Sequence, residues 1–184
     1  MKKVYILICS ILMILLIGCN NITVTTVGPN EFNKMKSELQ LIPKEYNTDN
    51  AVKDGYFVIS DGQVKSKIEV IDNFVSASQN QKSTFITIVQ YSTKYSTNRT
   101  PTITKILYNG SNYYGISDDS RVTNGNTDYH EFEFKYLKVF EEYNNKIYVL
   151  LNDKKINYDQ YMKSIYSSHS NDWIDAEFLC SYKK

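Results

Sequence analysis

The chain has 184 residues, 42% of them hydrophobic and 22% charged, with 21 Lys and Arg against 20 Asp and Glu. That length suits one domain with appendages, the near-balance of charge gives no basic field for nucleic acid, and a 14% aromatic content argues against disorder. Three Cys and two His are too few for a disulfide-framework miniprotein or a Cys/His zinc module.

The first element is an address. Met1-Lys2-Lys3 is a positive start, and residues 4–17 form an apolar run broken only by Ser10. A bilayer-spanning helix needs about 20 apolar residues, so the run is short for a span and right for a signal peptide. It ends in Leu16-Ile17-Gly18-Cys19 and is followed by Asn20-Asn21. An aliphatic pair, a small residue and then Cys has the look of a bacterial lipobox. The expectation is a signal peptide over 1–18, cleavage before Cys19, and a diacylglycerol on the Cys19 thiol, with no other cofactor. Residues 19–184 would remain, with 19 basic and 20 acidic side chains and one thiol, Cys180. Two acyl chains hold a protein to a membrane far better than one, since each buried methylene adds about 0.8 kcal/mol. Cys180 reads as a small buried hydrophobe in a last strand.

Residues 19–46 read as the lipidated Cys and a tether, with a short helix over 31–41 capped by Asn30 and limited by Pro43. Phe32, Met35 and Leu39 share a face of that helix, so it belongs either to the tether or to the domain. The domain itself is expected over 47–184. Asp61-Gly62 marks a hairpin. Ser66-Lys67-Ile68-Glu69 reads as a capping box. Ile68, Ile71, Phe74 and Val75 follow at helical spacing, which predicts the main helix over 67–79. Residues 83–93 are apolar on both alternating faces, as in a central strand. Asn109-Gly110 marks a second hairpin between strands over 102–108 and 112–117. Residues 131–143 alternate with Phe132, Phe134 and Tyr136 on one side, then Leu137 and Val139 on the other; a bulge or bend near Tyr136 would reconcile them. Residues 146–151 form another strand. Asn157 and Gln160 cap a helix over 158–167, and 176–182 closes as a strand. The predicted class is α+β: a mainly antiparallel sheet with one long helix packed on it, plus short peripheral helices.

The chemistry is sparse. His130 and His169 stand without a Gly-x-Ser-x-Gly elbow, and no glycine-rich phosphate loop occurs. Asn124-Gly125-Asn126-Thr127-Asp128 starts like a calcium loop, but Tyr129 and Lys135 stand where Gly and Glu are needed, so no metal site is expected. Asp118, Asp119 and Arg121 are the candidate ligand-binding residues. A guanidinium fork suits carboxylate or phosphate, and paired carboxylates suit a cation. The competing reading is a turn in which Arg121 pairs with Asp118 or Asp119. Tyr113, Tyr114, Tyr129 and Tyr143 are candidates for an aromatic platform toward glycan or peptide, against the plain reading that Tyr forms strands well.

Residues 50–121 resemble the domain of unknown function 4362, found in lipoproteins of Gram-positive bacteria. The resemblance is carried by Asn50-Ala51, Asp54-Gly55-Tyr56-Phe57-Val58, Ile71-Asp72-Asn73-Phe74, Ile86-Thr87-Ile88-Val89-Gln90-Tyr91-Ser92-Thr93, Pro101-Thr102-Ile103 and Ile106-Leu107-Tyr108-Asn109-Gly110. Asp118-Asp119-Ser120-Arg121 stands where an Asp/Arg-containing segment follows. Many members carry a late Cys pair, whereas Cys180 stands alone. The resemblance implies surface anchoring and an extracytoplasmic domain, and no catalytic residues. The reading is a membrane-anchored binding or interaction module on the extracytoplasmic face, with an envelope protein, peptide or glycan as partner and no nucleic acid. The alternatives are an envelope enzyme with an acidic site, and an inhibitor or immunity-type lipoprotein.

Overall fold

A computed structural model describes residues 29–92, 100–121 and 129–184. Residues 1–18, where a signal peptide is expected, Cys19 and the 124–128 segment lie outside the described residues. The class is α+β, built from two sheets and four helices among the described residues.

Helix α1 spans Pro29–Gln40 and α2 spans Thr48–Lys53. Pro at a first helical position has the φ the helix needs, so α1 begins one residue before the expected cap. Strands β1 (Phe57–Ser60) and β2 (Gln63–Val64) form a hairpin over Asp61-Gly62, which take φ of 49° and 76°. Helix α3 spans Glu69–Gln79. Strands β3 (Thr84–Tyr91), β4 (Thr102–Tyr108), β5 (Tyr113–Asp118) and β6 (Tyr129–Phe134) complete a sheet ordered β2-β1-β3-β4-β5-β6. Its pairings are antiparallel except β1–β3, which is parallel with Phe57 opposite Ile88. Parallel neighbours need a crossover, and α3 supplies it. Strands β7 (Tyr136–Glu142), β8 (Asn145–Leu151) and β9 (Ala176–Lys183) form a second, antiparallel sheet. Helix α4 (Tyr158–Tyr166) and a short 3-10 turn, Ser170–Asp172, join β8 to β9.

The periodicity of each element assigns its side chains to one of three cores. In β3, Ile86 and Ile88 point to one face and Val89 and Tyr91 to the other. The first face meets α3 through Ile71 and Phe74 and the second sheet through Tyr148, Leu150, Leu179 and Tyr182. The opposite face meets α1 and α2 through Met35, Leu39 and Ala51. The α1 helix therefore docks on the domain, where Lys105 also pairs with Glu38. The outer face of the second sheet is covered by α4, with Phe140, Val149, Leu151 and Tyr161 buried there. Cys180 is fully buried with no thiol partner for a disulfide among the described residues, and burial pushes its thiol pKa well up.

Three expectations change. The main helix is eleven residues, no longer than α1, and two sheets replace one. The Ser66 hydroxyl caps nothing. It accepts from the Val58 amide at 3.0 Å, because the Lys65 amide bonds the Val58 carbonyl and keeps this stretch beside β1. The parity change near Tyr136, by contrast, is the bend of the two expected alternatives: the chain bends at Lys135 and changes sheet. Strand β6 ends at Phe134, and one residue later β7 begins in the second sheet. Phe134 and Leu137 still reach the same core from the two strands. A register irregularity does occur, between Tyr148 and Val149 where β8 pairs β9. The Asn157–Gln160 capping box forms as expected, with both of its bonds at 2.9 Å.

Candidate functional site

Asp118 ends β5, in register with Ile103 of β4 and Tyr129 of β6, and is 1% exposed. A carboxylate so buried needs partners. The Ser120 amide donates to its Oδ1 at 3.0 Å, joined by the Ser120 hydroxyl. On the other side Arg121 Nε lies 3.3 Å from Asp118 Oδ2. The Nε proton has no well-aligned acceptor among the described residues, so this approach is charge pairing more than a hydrogen bond.

The rest of the Arg121 fork turns to α1. Nη2 donates to the carbonyls of Leu39 and Ile42 at 3.3 and 3.0 Å, and Nη1 donates to the carbonyl of Pro43. These carbonyls belong to the end of the helix and the turn after it, where partial negative charge gathers and the helix runs out of amide donors, although the Leu39 carbonyl also accepts from the Ile42 amide. Arg121 therefore bonds backbone some eighty residues back in the chain while neutralising its own strand's last residue. Of the three candidate residues, Asp118 and Arg121 come together as a clamp on α1.

Asp119 acts electrostatically on another group. Its charge raises the pKa of Glu177 on β9, a carboxyl already pushed up by burial, while His130 pulls it down. His130 Nε2 lies 3.2 Å from Glu177 Oε2. No sequence signal joins His130 and Glu177. The contact exists because β9 also bonds the first sheet, through Gln90 to the Leu179 carbonyl at 2.8 Å and through the Lys183 amide to the Gly62 carbonyl at 3.1 Å.

Around the clamp, phenols are held neutral. Burial pushes Tyr91 up to about 12, with Arg121 pulling the other way. Its hydroxyl donates to the Tyr46 carbonyl at 2.9 Å, and the Tyr46 hydroxyl donates to Asp54. Lys36 Nζ stands 4.8 Å from the centre of the Tyr129 ring. Among the described residues no group of three or more His, Cys, Asp or Glu is placed to hold a metal ion.

The four platform tyrosines separate. Tyr113 is buried against Phe74 and Tyr108, while Tyr114 meets Phe32 of α1 on the opposite face. Tyr129 is half-buried by the clamp. Tyr143 alone is fully at the surface, 87% exposed in the β7–β8 turn. Alternation explains the split, because adjacent strand residues point to opposite faces. Other exposed aromatics are Phe85 on β3, Tyr166 at the end of α4, and Trp173 in the segment after it. The Trp173 ring is anchored there, its indole N–H donating to the Ser167 carbonyl at 3.2 Å. No family model, no curated protein and no solved structure matches this chain.

Proposed function

We propose that this chain is a lipid-anchored extracytoplasmic binding or interaction module. The observation that carries the reading is Leu16-Ile17-Gly18-Cys19 at the end of a fourteen-residue apolar run after two lysines. Cys19 would carry the diacylglycerol that holds the domain at the membrane surface. The Arg121 fork is taken up by Asp118 and three backbone carbonyls, which leaves it little capacity for a substrate or a ligand, so the proposed partner surface lies elsewhere. The exposed aromatics around α4 supply surface of the kind partners use.

Pull-down from intact envelopes tests the reading. Tagged, membrane-tethered chain is expected to enrich a protein, peptide or wall fragment over an unrelated tethered control. A profile identical to that control contradicts it.

One observation favours a second reading, an envelope enzyme. Burial raises the pKa of the Glu177 carboxyl, with Asp119 adding to the rise and His130 opposing it. A carboxyl with a raised pKa is what a general acid requires. Hydrolytic activity in purified chain that disappears in Glu177→Gln would establish this second reading in place of the first.

A further inference from the structure

The start of α1 and an open aromatic ring lie at the same end of the first sheet. Phe32, in the first turn of α1, packs edge-on against Tyr114 with ring centres 6.0 Å apart. Tyr114 stands in register with Leu107 of β4, and Leu107 with Phe85 of β3. These three side chains therefore share one row and one face of the sheet, about two strand spacings of 4.8 Å from end to end. Helix α1 rests mainly on β5 and β4, and α2 on β1. On the same face of β3, Thr87, Val89 and Tyr91 are buried, whereas Phe85 is 77% exposed. One exposed apolar residue is ordinary on a protein surface. This one stands on an interior strand of the sheet, beside the point where the chain from Cys19 enters the fold.

The length of that chain limits what a bilayer can touch. Residues 19–28 lie between the proposed lipid and Pro29, the first residue of α1. Covalent geometry limits ten residues to a span of roughly 35 Å. The second sheet packs on the side of the first sheet opposite to α1, and α4 covers the outer face of the second sheet. At about 10 Å per layer, α4 is roughly 30 Å from α1, and the half-thickness of α4 adds about 5 Å. A bilayer against Tyr166 and Trp173 would use the whole tether on a straight line through the domain, and the path around the domain is longer. The outer side of α1 is polar, with Asn33, Lys34, Ser37 and Gln40 exposed, which disfavours laying this helix flat on lipid. The end of the sheet at Phe85 is what remains within reach.

We propose that this end of the first sheet rests on the bilayer surface, with the Phe85 ring in the headgroup region and the α4 face turned away toward partners. The inference rests on the lipid-anchor reading and gives the anchored domain its orientation. Aromatic rings are favoured at the membrane–water interface. The anchor keeps the ring at high local concentration, so its own affinity for lipid can be weak.

The single tryptophan, Trp173, reports on the α4 end. Lipidated chain extracted from membranes is reconstituted in vesicles of phosphatidylcholine and phosphatidylglycerol, with and without bromine on the acyl chains, and tryptophan emission is compared. Phe85→Trp/Trp173→Phe and Leu41→Trp/Trp173→Phe chains move the reporter to the two ends of α1, with all three substitutions at exposed positions. The Phe85→Trp/Trp173→Phe chain is expected to show blue-shifted emission that is quenched by brominated lipid. Wild type and the Leu41→Trp/Trp173→Phe chain are expected to keep their emission. Quenching of wild type, equal or stronger quenching with the reporter at 41, or no quenching with the reporter at 85 overturns the proposal. Intact mass of the same samples separates the two claims. Chain that carries diacylglycerol on Cys19 and is not quenched with the reporter at 85 overturns the orientation alone. Chain that lacks the lipid overturns the anchor and the orientation with it.

Discussion

Arg121 grips Asp118 and the end of α1 with one guanidinium: its Nε lies 3.3 Å from Asp118 Oδ2 while Nη2 donates to Ile42 at 3.0 Å. The pair is worth most when one partner is removed. Arg121→Ala leaves a buried carboxylate without its counter-charge and removes a donor from the Leu39, Ile42 and Pro43 carbonyls, the first of which keeps the Ile42 amide. A loss of about 3–5 kcal/mol in urea unfolding is expected. Arg121→Lys restores charge without the planar fork and is expected to recover only part of it. Wild-type stability in Arg121→Ala would contradict the clamp.

Gly115 on β5 pairs in register with Phe132 on β6, and a Cβ at Gly115 would stand 2.0 Å from the Phe132 ring. The phenyl ring thus lies over the space a side chain would fill. Gly115→Ala is expected to cost about 1–3 kcal/mol by overpacking. The cost should fall in a Phe132→Leu background, where the smaller side chain frees that space. Thermal unfolding of the four variants measures the coupling, and additive losses would contradict direct overlap.

Glu177 carries a pH dependence of definite sign. Its folded pKa is raised, by burial first and by Asp119, with His130 opposing. The folded state then holds the proton more tightly than the unfolded chain. Its contribution to stability is full below the ordinary glutamate pKa of about 4.3 and is lost as pH rises through the folded value. Relative to Glu177→Gln, wild type is expected to lose stability across that window. Urea midpoints of both chains from pH 3.5 to about 7 measure it, and parallel curves would contradict the burial of this carboxyl.

Much of the fold was legible because its signals are local. Asp61-Gly62 and Asn109-Gly110 mark hairpins that form, and Asn157 with Gln160 forms the capping box their spacing predicts. The failures and the ambiguities share one cause, which is tertiary choice among locally equal options. Ser66 had the chemistry of a cap and bonds a strand amide instead. The parity change after Phe134 looks the same in sequence whether the chain bulges or leaves for another sheet. At the candidate site, Asp118 and Arg121 are three residues apart and their pairing was foreseen. The carbonyls of Leu39, Ile42 and Pro43 were not, since no side-chain pattern announces a backbone acceptor eighty residues away. The pairing of His130 with Glu177 depends on where β9 meets the first sheet, and the packing of Tyr158 against Phe140 depends on where α4 lies.

The anchor is the most direct point of attack on the proposed function, because a tethered module without a tether is a different protein. Intact-mass analysis of chain extracted from the membrane fraction, beside a Cys19→Ser variant, settles it. The account predicts a chain beginning at Cys19 with a diacylglycerol thioether, and a Cys19→Ser chain that is either released or left as full-length precursor. A Cys19→Ser chain retained in the membrane at mature size, or a membrane-bound wild type with unmodified Cys19, would contradict it.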